Sequence, residues 1–176
     1  MEPGNRSVAD KLTLFFACGF GTGCIPIAPG TFGTAAAFLW IWVLLLSGNL
    51  WVYLAGIVVG FFLAVWIGHR AEKTLGLEGP GSIVIDEIAG LPLAFFPAVL
   101  STMVGGTLRP FGEFWRGNEI ILPLLAFVLF RFFDVAKPLG IKQSQNIPNG
   151  WGLVIDDFLA AILAATGLAV YLAIRA

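Results

Sequence analysis

Charge is what this sequence has least of. Only 12% of its 176 residues are Asp, Glu, Lys or Arg, against about 25% in an ordinary soluble domain. Ten basic and eleven acidic side chains nearly cancel, for a net charge of −1. That balance leaves no electrostatic footprint for a nucleic-acid partner. Histidine occurs once, at His69, and cysteine twice, at Cys18 and Cys24. Two thiols so close together cannot staple a disulfide scaffold, and one histidine cannot complete a Cys/His zinc set. Both thiols are expected to act as small apolar residues. A Cys-x5-Arg motif is missing too, since the sixth residue after Cys18 is Cys24 and the sixth after Cys24 is Gly30. Neither an Arg-and-His catalytic pattern nor a Gly-x-Ser-x-Gly elbow occurs. Thiol, histidine and serine nucleophiles are thereby set aside, and His69 reads as an interface residue. No repeat, low-complexity tract or linker divides the chain, which is expected to form one domain over 1–176.

What the sequence has in abundance is apolar surface. Hydrophobic residues make up 58%, with sixteen Phe and six Trp, and the mean hydropathy is +0.89. Five stretches, 31–47, 50–68, 88–104, 119–136 and 153–174, are apolar enough to cross about 30 Å of hydrocarbon. Pro92, Pro97 and Pro123 are expected to mark kinks or helix starts. The stretch 11–20 is too short to span and reads as an interfacial or re-entrant helix. Arg6 and Lys11 precede the run Leu12–Ala17, but no small-x-small cleavage site follows, so the N-terminus is expected to remain in the mature protein. The fold class is therefore all-α: a polytopic helical membrane protein with about five transmembrane helices plus that short N-terminal helix.

Alternating crossings sort the polar segments. With the N-terminus inside, the inner segments carry Arg6, Lys11, Arg70, Lys73, Lys137 and Lys142, and the outer ones Arg109, Arg116 and Arg175. The excess inside fits the positive-inside rule. Gly21–Thr34 precedes the first span and Gly81–Gly90 the third, Arg131–Pro138 closes the fourth, and Gly150–Asp157 opens the fifth. By parity all four meet at one membrane face, the basic one.

Those segments hold the chemistry. Asp86 and Glu87 are adjacent carboxylates at the start of an apolar helix, where acids also serve as caps worth about 0.3–1 kcal/mol. Arg131, Asp134 and Lys137 are spaced i,i+3 on one helical stripe, with Asp134 between two cations, and Pro138 ends the helix. A buried structural ion pair is the plain alternative, but each charge within a span costs about 2.5–3.5 kcal/mol. Asp156 and Asp157 point about 100° apart on a helix, so one is expected to bind a metal while the other caps or holds a supporting group. Five acids against Arg131 and Lys137 leave a surplus of three negative charges near a low-dielectric boundary, which calls for protons or a cation. With only oxygen donors present, hard ions such as Mg²⁺, Mn²⁺ or Ca²⁺ are selected. The fourth segment, Gly21-Thr22-Gly23-Cys24-Ile25-Pro26-Ile27-Ala28-Pro29-Gly30-Thr31, is a Gly-rich loop entering a helix N-terminus. Such a place favours phosphate, although as a generic pattern a plain re-entrant turn is the stronger reading. Thr31 is the expected N-cap, and no Walker ending is present.

Together these blocks resemble the phosphatidylglycerophosphatase A family. Gly21-Thr22-Gly23 with Ala28-Pro29-Gly30-Thr31, Ser82-Ile83-Val84 with Asp86-Glu87, Arg131-x-x-Asp134-x-x-Lys137-Pro138 and Asp156-Asp157 agree in order and spacing over about residues 12–170. His69 and Lys73-Thr74-Leu75-Gly76 agree less tightly, and Gly79-Pro80-Gly81 stands where the family carries a more polar residue before Ser82. The resemblance implies a bacterial inner-membrane enzyme, facing the cytoplasm, that hydrolyses phosphatidylglycerophosphate to phosphatidylglycerol and phosphate with Mg²⁺. In that reading Asp86, Glu87, Asp134, Asp156 and Asp157 are the metal-ligand candidates. Asp134, Asp156, Asp86, Arg131 and Lys137 are the catalytic candidates, and Thr22, Gly23, Pro29, Gly30, Thr31, Arg131 and Lys137 meet the phosphate. The partner is a phospholipid within the bilayer. Water or a carboxylate, Asp134 or Asp156, serves as nucleophile. The competing readings are an ion or metabolite transporter, a lipid phosphotransferase and a non-catalytic membrane scaffold. Crowding of the charges at one face and the lack of an inverted repeat count against transport.

Overall fold

Helix follows helix along the chain, and the punctuation between them is written in capping and turn residues. The computed structural model describes residues 6–138 and 140–175. Helix α1, Val8–Ala17, opens on a capping box in which the Ser7 hydroxyl accepts from the Asp10 N–H and the Asp10 carboxylate accepts from the Ser7 N–H. A 3₁₀ turn, Gly19–Cys24, leads to α2, Pro29–Leu45, which takes proline as its first residue. Helix α3, Leu50–Leu75, is capped by the Asn49 side chain, which accepts from the N–H groups of Trp51 at 2.8 Å and Val52 at 3.4 Å. It closes on Gly76 at φ +67°, a left-handed position that suits glycine. Helix α4, Ile85–Ser101, is followed by 3₁₀ turns at Phe111–Trp115 and Gly117–Ile120. Helix α5, Ile121–Ala136, stops before Pro138. A single turn, α6, Ile141–Ser144, precedes α7, Trp151–Arg175. No strand is present among the described residues.

Five of these helices, α2, α3, α4, α5 and α7, coincide with the five apolar stretches. Two of them, Leu50–Leu75 and Trp151–Arg175, are long and apolar enough to cross a membrane. At 1.5 Å per residue they reach about 37–39 Å, whereas α2, α4 and α5 reach only about 24–26 Å. Helix α3 runs seven residues past the apolar limit at 68 and carries Arg70 and Lys73 with it. Hydropathy registers the apolar part alone, while backbone hydrogen bonding continues the helix into charged sequence. The stretch 11–20 divides, with α1 ending at Ala17 and the chain turning at Gly19–Cys24. Ten helical residues measure about 15 Å, so α1 does not span. Thr31, expected as the N-cap of α2, is its third residue. Ala28, left-handed at φ +49°, holds the cap position, because Pro29 presets the first helical turn.

Helix α4 is the axis of the bundle, packed against α2, α3, α5 and α7. Most of its length is buried, from Asp86 to Val99. Pro92 and Pro97 lie inside it, as the sequence led us to expect, and each removes one backbone donor. The buried Tyr53 hydroxyl of α3 donates to the Pro92 carbonyl at 2.8 Å, so its polar tip is satisfied within the apolar core. The outer surface is the inverse of a soluble protein's. Trp51 is 76% and Phe132 62% exposed, and exposed apolar side chains continue over α2, α3, α5 and α7, while Asp156 and Asp157 are 2% and 3% exposed. A soluble monomer rarely shows apolar surface on this scale.

Tyr53→Phe removes one buried hydrogen bond without opening a cavity. The expected cost is about 1 kcal/mol, read as a lower midpoint of denaturant unfolding in detergent.

Candidate active site

The alternation of helix directions brings the N-terminal ends of α2, α4 and α7 and the C-terminal ends of α3 and α5 to one end of the bundle. Three helix N-termini there contribute positive potential. Asp86 and Glu87 occupy the first turn of α4, whose cap residue, Val84, makes no side-chain hydrogen bond. Asp156 and Asp157 lie in the second turn of α7, too deep to act as caps. A cavity of about 500 Å³ opens between these helices. Asp86, Glu87, Asp134, Lys137, Asp156 and Asp157 all line it.

Within it the charges divide into two groups. On α5, Arg131 donates to Asp134 Oδ2 at 2.5 Å, and Lys137 Nζ lies 3.5 Å from Asp134 Oδ1. The stripe expected from the i,i+3 spacing is therefore formed, with Asp134 between the cations. Lys137 leaves α5 with φ +41°, in left-handed backbone that a non-glycine residue adopts only under strain. Its amine also donates to Asp156 Oδ2, the oxygen that accepts from Gln145 Nε2 at 2.8 Å. Asp134 and Asp156 are thus held by cations. The other three carboxylates, Asp86, Glu87 and Asp157, offer oxygens that all lie within 4.8 Å of one another. Their only cation contact among the described residues is Arg131 Nη1, 3.7 Å from Glu87 Oε1. Among the described residues Asp86 Oδ1, Glu87 Oε2 and Asp157 Oδ2 are buried without a hydrogen-bond partner, as is Asp156 Oδ1. Buried carboxylate oxygens are rarely left so. Adjacent residues on α7 therefore face different partners: Asp157 joins Asp86 and Glu87, and Asp156 joins Lys137.

The Gly-rich segment meets the charged cluster through Gly30, which, like Arg131, packs on Glu87 without itself lining the cavity. A Cβ on Gly30 would collide with Glu87 Oε1 and stand 3.0–3.1 Å from the Arg131 guanidinium. The absence of a side chain at Gly30 is what lets the N-terminus of α2 lie against that ion pair. Thr34, one turn on, accepts from Arg131 Nη1 at 3.4 Å and donates to the Gly30 carbonyl. Elsewhere the loop is occupied with itself. Thr22 donates to the Gly19 carbonyl at 2.9 Å, Gly23 lies against the Ser82 carbonyl, and neither Pro29 nor Thr31 lines the cavity. Burial and the neighbouring Cys24 push the Cys18 thiol up to about 11, which leaves it an unreactive group. His69 stands outside the cavity lining.

Reading the sequence passed over Gln145, Glu72 and Thr34. Glu72 lines the cavity and accepts from the Gly79 N–H at 2.9 Å. The i,i+4 spacing of Gly30 and Thr34 was the one available signal. Gln145 sits in the turn before α7, where composition alone distinguishes no residue.

Residues 15–172 match the family model described as Phosphatidylglycerophosphatase A. The chain belongs to the phosphatidylglycerophosphatase A family. A Phosphatidylglycerophosphatase A of Haemophilus influenzae is 34% identical over 151 residues, 84% of this chain and 81% of that one. Its namesake in Escherichia coli is 31% identical over 150 residues, covering 85% and 77%. A protein of Bacteroides thetaiotaomicron, provisionally named a phosphatidylinositol-3-phosphatase, is 32% identical over 163 residues, covering 90% and 92%. No solved structure matches. Membership of the phosphatidylglycerophosphatase A family makes the chain a phosphatase, a phosphoric monoester hydrolase.

Gly30→Ala is expected to displace Glu87 and Arg131 while leaving the helices intact. A misplacement of about 1 Å costs on the order of a hundredfold in rate, so phosphatase turnover should fall by about that factor with an unchanged circular dichroism spectrum. Wild-type turnover would show that α2 does not position the ion pair.

Proposed function

We propose that this chain is a five-span membrane enzyme that hydrolyses phosphatidylglycerophosphate to phosphatidylglycerol and inorganic phosphate, dependent on Mg²⁺ and acting at the cytoplasmic face. The observation that carries the reading is a cavity lined by the carboxylate trio Asp86, Glu87 and Asp157 together with Lys137, with Arg131 paired to Glu87 just behind its wall. The family and the two relatives named for this reaction support the substrate. Apolar side chains exposed around α2, α3, α5 and α7 support membrane embedding. The shorter helices are accommodated by local thinning of the bilayer at modest cost. Three of the basic residues favouring a cytoplasmic face, Arg70, Lys73 and Lys137, lie at or beside the cavity end. At the other end Arg109 and Arg175 are taken up by Glu113 and Glu119.

Asp86, Glu87 and Asp157 would hold the metal. Their partnerless buried oxygens and their all-oxygen chemistry fit a hard divalent cation. The chemistry a bound Mg²⁺ supplies at such a site is Lewis-acid polarisation of phosphoryl oxygens. Arg131 and Lys137 grip the transferring phosphate and stabilise the charge on its equatorial oxygens. The N-terminus of α2 at Gly30 adds backbone dipole to that grip. Asp134 has both oxygens engaged by cations and serves to position them. Asp156 has Oδ2 held by Lys137 and Gln145 and Oδ1 free. We assign it the proton of the attacking water, in preference to a phosphorylated carboxylate. The acyl chains stay in the bilayer, and only the headgroup enters the cavity.

The decisive measurement is phosphate release from phosphatidylglycerophosphate by the detergent-purified protein, with Mg²⁺ and then with excess EDTA. Release is expected with the metal and none with the chelator. Asp134→Asn and Asp156→Asn should each abolish turnover in a folded protein. Parallel assays on phosphatidylinositol 3-phosphate decide the headgroup, and release from that lipid alone would overturn the substrate assignment. Substrate-dependent flux across proteoliposomes without phosphate release would favour transport instead.

A further inference from the structure

One surface at the cavity end is used neither by the bundle nor by the chemistry. Helix α1 and the turn after it present Val8, Leu12, Phe15, Phe16 and Phe20 outward, all exposed. Phe15, Phe16 and Phe20 form a closed triangle of edge-to-face rings with centroids 5.5–5.7 Å apart. Phe20 is held 55% exposed in left-handed backbone at φ +60°, a conformation uncommon for a bulky residue. The fold keeps it outside.

The opposite side of α1 is fastened to the site. Ala17 is buried in one cluster with Ala71 of α3 and Ile83, and its carbonyl accepts from the Val84 N–H at 2.9 Å, two residues before Asp86. The height of this assembly along the bundle can be read from α3. Phe62, Leu63 and Trp66 are exposed apolar residues on α3, and Arg70 and Lys73 are exposed charged ones one and two turns later. The Arg70 guanidinium lies 5.4 Å over the Trp66 ring. Tryptophan beneath a cation is the side-chain order of a membrane–water boundary. Because Ala17 of α1 packs beside Ala71, one residue past Arg70, the end of α1 that carries the phenylalanine triangle lies near that level of α3.

We infer that α1 and the Gly19–Cys24 turn form an interfacial anchor, with Phe15, Phe16 and Phe20 seated among phospholipid acyl chains just below the headgroups. The anchor holds the cavity at the depth where a lipid phosphate lies. This inference rests on the membrane-embedded reading above and extends it to a segment that crosses nothing. Polar groups accompany the apolar face: Ser7 caps the helix, and the exposed Lys11 lies in its first turn beside the residues that enter the lipid.

The test places a nitroxide label at Phe20→Cys, and separately at Leu12→Cys, in full-length protein lacking Cys18 and Cys24 by substitution to alanine. The protein is reconstituted in phosphatidylethanolamine–phosphatidylglycerol vesicles. Collision with dissolved oxygen but not with a water-soluble nickel chelate is expected at both positions, at a depth of about 5–10 Å below the phosphates. Free collision with the chelate would overturn the anchor by placing the segment in water. Shielding from both reagents would overturn it by showing a protein cover. Phosphate release by the same labelled samples is scored independently. Labels in lipid without release would sink the reaction and keep the anchor, and labels in water with Mg²⁺-dependent release would do the reverse.

Discussion

Five carboxylates and two cations enclosed at one end of an apolar bundle form the constraint on which the remaining structure depends. An uncompensated charge in a low-dielectric setting is costly enough that its neighbours must be chosen around it. Lys137 shows how directly the backbone answers to this. It departs from α5 in a left-handed conformation, and from there its amine serves Asp134 on its own helix and Asp156 on another. Arg131 does the same on the opposite side, reaching Asp134, Glu87 and Thr34 from three helices. Two side chains thus tie α2, α4, α5 and α7 together at the end where helix termini would otherwise leave polar groups unpaired.

The same constraint explains the division of labour among the acids. Cations neutralise Asp134 and Asp156 but leave Asp86, Glu87 and Asp157 in surplus, with one buried oxygen each lacking a partner. A fold that only needed stability would do better with apolar residues of similar volume at those positions. The cost is therefore a sign of function. In the proposed reading a hard divalent cation would offset that surplus, beside the two cations that would meet the phosphate.

Close approach is the second theme. Val84 packs on Gly33, where a Cβ would lie 2.6 Å away, and Phe130 packs on Gly90. Helix α7 lies against the turn before it because Gly152 leaves room for the carbonyls of Gln145 and Ile147. Small residues let membrane helices approach without a hydrophobic drive between them. Here they also bring carboxylates from different helices to within ligand distance.

The sequence by itself determined the helical class, the five apolar segments and the identity of nearly all the charged residues at the site. Those features are legible because charge is scarce, spacing of three residues places Arg131, Asp134 and Lys137 on one stripe, and alternating directions send four segments to one end. The sequence did not reveal that Ala28, not Thr31, caps α2. Nor did it reveal that α3 continues to Leu75, because proline geometry and backbone hydrogen bonding outrank propensity and hydropathy there. Only the tertiary structure decided which acids share a locus and which are neutralised. It separated Asp157 from Asp156, brought Gly30 against Glu87, and admitted Gln145 from a turn with no motif. Those choices depend on the rotation of each helix about its axis and on distances of a few ångströms between elements far apart in the chain. Residue order carries no direct record of either.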